Sequence, residues 1–274
     1  MKAILSLVYC LIMPFTLAAA KAEQLTLTFS THNYPPFSSI DQDNNPTGPF
    51  VDILSLACNE LDYQCHFISV PNRRSKLMLE NNQVQANFPM GWNTERDHQL
   101  YFSIPLMNMQ YGFFYSNDSL KEPITSLADI QTLNVGVFGP SNASYQLEKL
   151  KQKMHSQGLK EFSITLITDA NGTGVKMLDH KRIDAYFANN LQAKTHLAQF
   201  GLDNIQHAFT YSEHPYFVTF NKIQTSRLQL IQFNQTLYKL YVAHNQFKDI
   251  LAKYNIETVS ITPQLLMQYN IIHE

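Results

Sequence analysis

Apolar and polar positions alternate along this chain in two rhythms. "LTLTFS" (25–30) repeats every second residue, as a half-buried strand does, and the Pro/Asn/Gly-rich "THNYPPFSSIDQDNNPTG" after it reads as a loop. Behind Gly48 and Pro49, the apolar Phe50, Ile53, Leu54, Ala57 and Leu61 recur at helical spacing, with Pro49 suited to a first helical turn. "CHFISV" (65–70) predicts a second strand, "RRSKLMLENN" a short helix and "VQANFPM" a third strand. The character changes near Gly112. "LNVGVFG" (133–139) predicts a strand, "PSNASYQLEKLKQKM" a helix rich in capping residues, "FSITLIT" a strand, "GTGVKMLDHKR" a helix and "IDAYFAN" a strand. "HPYFVTFNK" is a further strand. "SRLQLIQFNQTLYKLYVAHNQFKDILAKY" then carries one long helical periodicity through Leu230, Phe233, Leu237 and Leu240. No internal repeat, low-complexity tract or long linker interrupts the series, so the pattern predicts an α/β protein. A closing helix of that length needs a core to cover, and the N-terminal block is its natural host.

The first residues follow a different logic. In "MKAILSLVYCLIMPFTLAAAKAEQ", Lys2 precedes a run from Ala3 to Leu17 without charge. Either Ala18-Ala19-Ala20 or Ala20-Lys21-Ala22 then fits an A-x-A cleavage pattern, so residues 1–22 are expected to form a secretory signal peptide cleaved near Ala20 or Ala22. The apolar run falls short of the roughly 20 residues of a membrane span. About 250 residues remain for an exported protein, enough for one large domain or two medium lobes. A net charge of −2 with 15% charged residues excludes an electrostatic nucleic-acid binder, and a 45% hydrophobic content excludes a disordered chain. Cys10 would be lost with the signal, leaving Cys58 and Cys65. An even pair in an exported chain favours a disulfide, the alternative being two reduced, buried thiols. C-x6-C beside His66 lacks the usual spacing of zinc ligands.

Familiar catalytic motifs do not occur. The 10 histidines form no H-x3-H or HExxH pair, and no G-x-S-x-G, P-loop or G-x-G-x-x-G is present. "NGTG" (171–174) reads as a turn, and Asp52 and Asp184 sit at element edges where capping or turn roles are expected. Two stretches are more informative. In "YPPF" (34–37) the prolines stiffen the backbone, making Tyr34 either a ligand-stacking wall or a hydrophobic plug. "GWNTERDHQLYFSIPL" (91–106) places the chain's single tryptophan, Trp92, four residues before Arg96. That is either a charged surface turn or one wall of a pocket for something flat or anionic.

Taken in order, "YPPF", "GPFVDIL", "VPNRR", "NTERDHQLYFSIP", "LNVGVFGPS" and "KRIDAYFAN" resemble the family 3 extracellular solute-binding proteins of bacteria, the periplasmic amino-acid-binding type. The likeness covers roughly residues 24–255 and is most specific in "TERDHQLYFSIP" and "RIDA". It implies the two-lobe, type II periplasmic-binding-protein fold with a central cleft. Lobe 1 would comprise residues 23–111 and 213–274, and lobe 2 residues 112–212. The double-strand hinge would lie near Met109–Phe113 and Thr210–His214. It further implies a periplasmic monomer that presents a small-molecule ligand to an inner-membrane ABC permease or a sensor, with no cofactor, metal or nucleic acid. Carried over residue by residue, Tyr34 is the stacking aromatic and Arg96 the arginine that grips an α-carboxylate. Gly91 stands where a hydroxyl residue often assists, and Ser141 supplies a hydroxyl at the start of a lobe-two helix. Arg74, in "VPNRR", and Trp92 are counted with the ligand-binding residues. Two positions depart from the pattern. Asn189 replaces the carboxylate that usually holds the ligand's ammonium, and Pro140 has no N–H where a glycine normally donates one, unless Gly139 shifts into that place. The competing readings are a cyclohexadienyl-dehydratase-like enzyme on the same scaffold, with Glu95 and Asp169 as acid–base candidates, and a regulator that binds little ligand.

Overall fold

The computed structural model of the chain describes residues 24–120, 122–243 and 245–271, so the expected signal peptide lies outside the described residues. The alternation near the start becomes strand β1 (Thr26–Thr31), with Leu27 and Phe29 buried. A two-strand ribbon, β2 (Ser39–Ile40) and β3 (Pro46–Thr47), leads to helix α1 (Pro49–Glu60). Gly48 precedes that helix at φ 110°, and a Cβ there would lie 3.1 Å from the Phe37 carbonyl oxygen, so glycine is required. The buried stripe of α1 is Phe50, Ile53, Leu54 and Ala57, as the spacing predicts. Strand β4 (Gln64–Ser69) runs parallel to β1, and helix α2 (Asn72–Glu80) returns the chain to β5 (Ala86–Gly91) on the other side of β1. Cys58 and Cys65 form a disulfide, Cα atoms 6.2 Å apart, which ties the end of α1 to β4.

A short helix, α3 (Thr94–Gln99), and strand β6 (Leu100–Phe102) carry the chain to β7 (Met107–Ser116). The middle block follows: β8 (Asn134–Phe138), α4 (Asn142–Ser156), β9 (Ser163–Ile167), α5 (Thr173–Asp179), β10 (Ala185–Asn189) and α6 (Asn190–Phe200). Strand β11 (Ile205–Asn221) returns, and α7 (Arg227–Ala243), α8 (Gln246–Lys253) and α9 (Pro263–Gln268) close the chain. The main strands run in the order β4-β1-β5-β11-β7-β10-β8-β9, with β6 paired to β11. One half of this sheet is the parallel set around β1, the other the parallel set β10-β8-β9. They are joined by the antiparallel ladder of β7 and β11, from Met107 opposite Tyr216 to Ser116 opposite Ile205. The expected crossings, Met109–Phe113 and Thr210–His214, lie within that ladder.

Helices α1, α7 and α8 cover the first half, burying Leu230, Phe233, Leu237 and Leu240 over a ring cluster of Phe29, Phe88, Phe220 and Phe233. The single closing helix expected from the periodicity is two helices. Asn245 sits at φ 52°, a left-handed backbone that a right-handed helix does not accommodate, and α8 starts directly after it. Among the described residues no helix is long and apolar enough to cross a membrane.

Candidate functional site

Two pairs of parallel strands, β1 with β5 and β8 with β10, run toward one place from opposite directions. His32 follows the end of β1, Met90 and Gly91 end β5, Phe138 ends β8, and Ala188 and Asn189 end β10. All line one cavity of about 40 Å³, with Tyr111 and Tyr216 of the crossing strands on its wall. This is the crevice at strand carboxyl ends where open α/β sheets bind ligands. Tyr34 joins it from the loop after β1. Its ring stacks on Phe37 with centroids 5.5 Å apart, and its hydroxyl accepts a hydrogen bond from Tyr216 at 3.0 Å. Tyr111 and Tyr216 hydroxyls lie 3.4 Å apart, completing a chain of three phenols. Burial pushes all three above the usual tyrosine range, so they act as neutral hydrogen-bonding groups. His32, 5.3 Å from the Tyr34 ring, is pulled down to about 3, first by burial and then by Lys76, and is held neutral.

The cavity's cations are Arg96 and Lys76. Asn93 caps α3 and accepts the Arg96 backbone N–H at 2.9 Å, which fixes where the arginine side chain starts. Its Nη1 donates to the Gly91 carbonyl at 2.6 Å, and no carboxylate lies within ion-pair distance of the guanidinium among the described residues. Lys76, one turn after Asn72 on α2, is pulled down to about 8 by burial and then by Arg96, against a smaller opposing pull from Glu80. Lys76 Nζ and Asn72 Nδ2 donate to the Pro140 carbonyl at 3.2 and 3.3 Å, and Asn33 donates to Asn171 at 3.2 Å. These three bonds join the two halves of the molecule across the cleft.

Residues 27–257 match the model of the bacterial extracellular solute-binding proteins, family 3. The chain belongs to that family. It is 35% identical over 123 residues to an Escherichia coli (strain K12) protein provisionally assigned as ABC transporter arginine-binding protein 2, covering 42% of this chain and 50% of that protein. It is 26% identical over 158 residues to the arginine-binding periplasmic protein of Mannheimia haemolytica, covering 57% of this chain and 60% of the relative. The match thus spans about half the length of these curated relatives. Among solved structures, a histidine kinase sensor domain with similarity to periplasmic binding proteins superposes with a TM-score of 0.75 at 18% identity, over 86% of this chain and 99% of that one. An ancestral arginine-binding protein bound to arginine superposes at 0.70 and 21% identity, over 84% and 97%. These likenesses establish the periplasmic-binding-protein fold.

In this family 3 solute-binding protein the residues singled out by sequence are distributed unevenly. Tyr34, Gly91, Arg96, Ser141 and Asn189 line the cavity; Trp92 and Arg74 are not among its lining residues. Trp92 is half-buried against Tyr269, ring centroids 5.5 Å apart, and Arg74 is exposed on α2, whose cavity-lining residues are Asn72 and Lys76. A Cβ at Gly91 would fall 2.7 Å from Asn142 Cγ, so a hydroxyl side chain there would have to displace the Asn142 side chain. Ser141 caps α4. Its Oγ accepts the Ser144 N–H at 3.2 Å and donates to the Phe138 carbonyl, so the hydroxyl is committed to backbone groups. Gly139 does not take the place of Pro140, because its N–H donates to Ile167 at 2.9 Å, extending the β8–β9 ladder. Asp184 accepts the Asn134 N–H at 2.7 Å and Asp52 accepts the Tyr254 hydroxyl at 3.0 Å, both structural roles. Sequence reasoning missed His32, Lys76, Asn142, Tyr111 and Tyr216. The signals it could have used were the position of His32 two residues before Tyr34 and of Lys76 four after Asn72.

Proposed function

We propose that this protein captures a small carboxylate-bearing solute in the periplasm, between lobes formed by residues 23–111 with 213–274 and by residues 112–212. It then presents the solute to an ABC-type importer or a membrane sensor. The observation that carries this reading is Arg96: a permanent cation on a cavity wall, without a carboxylate partner among the described residues. A guanidinium grips a carboxylate through two parallel, charge-assisted hydrogen bonds, each contributing about 1.5–3 kcal/mol. The names of the two curated relatives, both arginine-binding, support an amino acid or related compound as the solute class. Capture is favoured over dehydration because the two carboxylates considered as acid–base groups stand outside the cavity lining. Glu95 is exposed on α3, and the Asp169 oxygens accept from the Asn171 N–H and the Thr173 hydroxyl.

The test is a substitution series at Arg96. Arg96→Lys keeps the charge and loses the fork, and Arg96→Ala loses both. Calorimetric affinity for a carboxylate identified by thermal-shift screening is expected to fall in the order Arg, Lys, Ala, by about tenfold or more at the last step. Parent-like affinity in Arg96→Ala would refute the assignment.

A further inference from the structure

The strand-end cavity carries one more cation than a single carboxylate can neutralise, given that the solute binds there as proposed above. Arg96 and Lys76 both line it, and none of its lining residues is Asp or Glu. Neither cation has a carboxylate within ion-pair distance among the described residues. Glu80, one turn beyond Lys76 on α2, lines the wider groove beside the cavity, as do Glu95 and Glu148. Each cation is anchored by its own carbonyl: Arg96 Nη1 on Gly91 in one half of the molecule, Lys76 Nζ on Pro140 in the other. An ammonium has three N–H donors, so the bond to Pro140 leaves Lys76 two for a ligand. Lys76 keeps its charge at neutral pH, although burial and then Arg96 pull it down to about 8.

An α-carboxylate on Arg96 neutralises the guanidinium and leaves the Lys76 charge unpaired in the cleft, which is unfavourable. A neutral side chain on the solute does nothing to relieve this, and a cationic one adds repulsion. A second acid group supplies the counter-charge and a charge-assisted hydrogen bond to Nζ. The α-ammonium does not alter the comparison, because acidic and neutral amino acids share it. We infer that the solute carries two acid groups, one held by Arg96 and the other by Lys76, so that the protein prefers acidic amino acids to neutral ones of the same shape and to arginine.

Calorimetry with isosteric pairs tests this on the full chain expressed for export: aspartate against asparagine, and glutamate against glutamine, with arginine as the basic comparator. In at least one pair the acid is expected to bind about tenfold or more tightly than its amide, with arginine weaker than the acid. Lys76→Gln should bring that ratio close to one, and Lys76→Arg should keep it. The ratio separates charge from closure, because losing the bond to Pro140 weakens acid and amide alike. Amides or arginine that bind as tightly as the acids, or a ratio unchanged in Lys76→Gln, would overturn the second acid group. Capture at this site stands in that case if Arg96→Ala abolishes binding. The second acid group is equally overturned if neither pair binds while a monocarboxylate found by thermal-shift screening does so through Arg96. If Arg96→Ala binds as the parent does, or no carboxylate binds the parent, the capture reading falls and this inference with it.

Discussion

His32 shows how one side chain in the cavity wall sets a property of the entire molecule. Burial, followed by Lys76, lowers its pKa from an ordinary 6.5 to about 3. Between those values the unfolded chain takes up a proton that the native one refuses, so stability falls as the pH drops through that window. The slope is about 1.4 kcal/mol per pH unit from this group. His32→Gln is accordingly expected to flatten the acid limb of melting temperature against pH between about 6.5 and 3. An unchanged limb, followed by differential scanning calorimetry, would show that the ring titrates ordinarily. At this scale the sequence was only partly readable. Tyr34 stood out through its prolines, and Arg96 through its neighbours and the family resemblance. Tyr111 and Tyr216 gave no sign, because they are 105 residues apart in the chain and meet only across the crossing strands. Trp92 was conspicuous for being single, yet its ring packs on Tyr269.

Elements were legible wherever each buried one clean stripe. The periodicity of α1 and the wealth of capping residues ahead of α4 were visible in the letters, and so were the strands with period-two burial. Helix α6 was not, because its buried face carries Asn190, Gln192 and His196, polar residues that mask the apolar rhythm. The break before α8 was hidden for the opposite reason: Phe247, Ile250 and Leu251 continue the apolar pattern across it. The Cys58–Cys65 clamp between α1 and β4 supplies a prediction at this scale. Closing an eight-residue loop constrains the unfolded chain by about 2.5 kcal/mol in the chain-entropy model. The double variant Cys58→Ser/Cys65→Ser is expected to lose about that much in urea denaturation. A loss below roughly 0.5 kcal/mol would mean the clamp constrains little.

For the molecule as a whole, the two halves meet through the β7–β11 ladder and three hydrogen bonds across the cleft. Hinge closure about two such strands is a recognised mode of ligand capture. Small-angle scattering is expected to report a smaller radius of gyration on saturation with the solute, and an unchanged profile would indicate a rigid cleft. The same ladder also bears on the order in which the chain assembles. Residues 107–214 contain β7 to β10 and the opening stretch of β11, so that half of the sheet is completed by consecutive residues. The other half waits, since β5 pairs with β11 only at residues 216–220, and α7 and α8 arrive later still. Loop-closure entropy gives sequence-local contacts the earlier start. The middle of the chain is therefore positioned to fold first, and the half that begins at the N-terminus is the last to be finished.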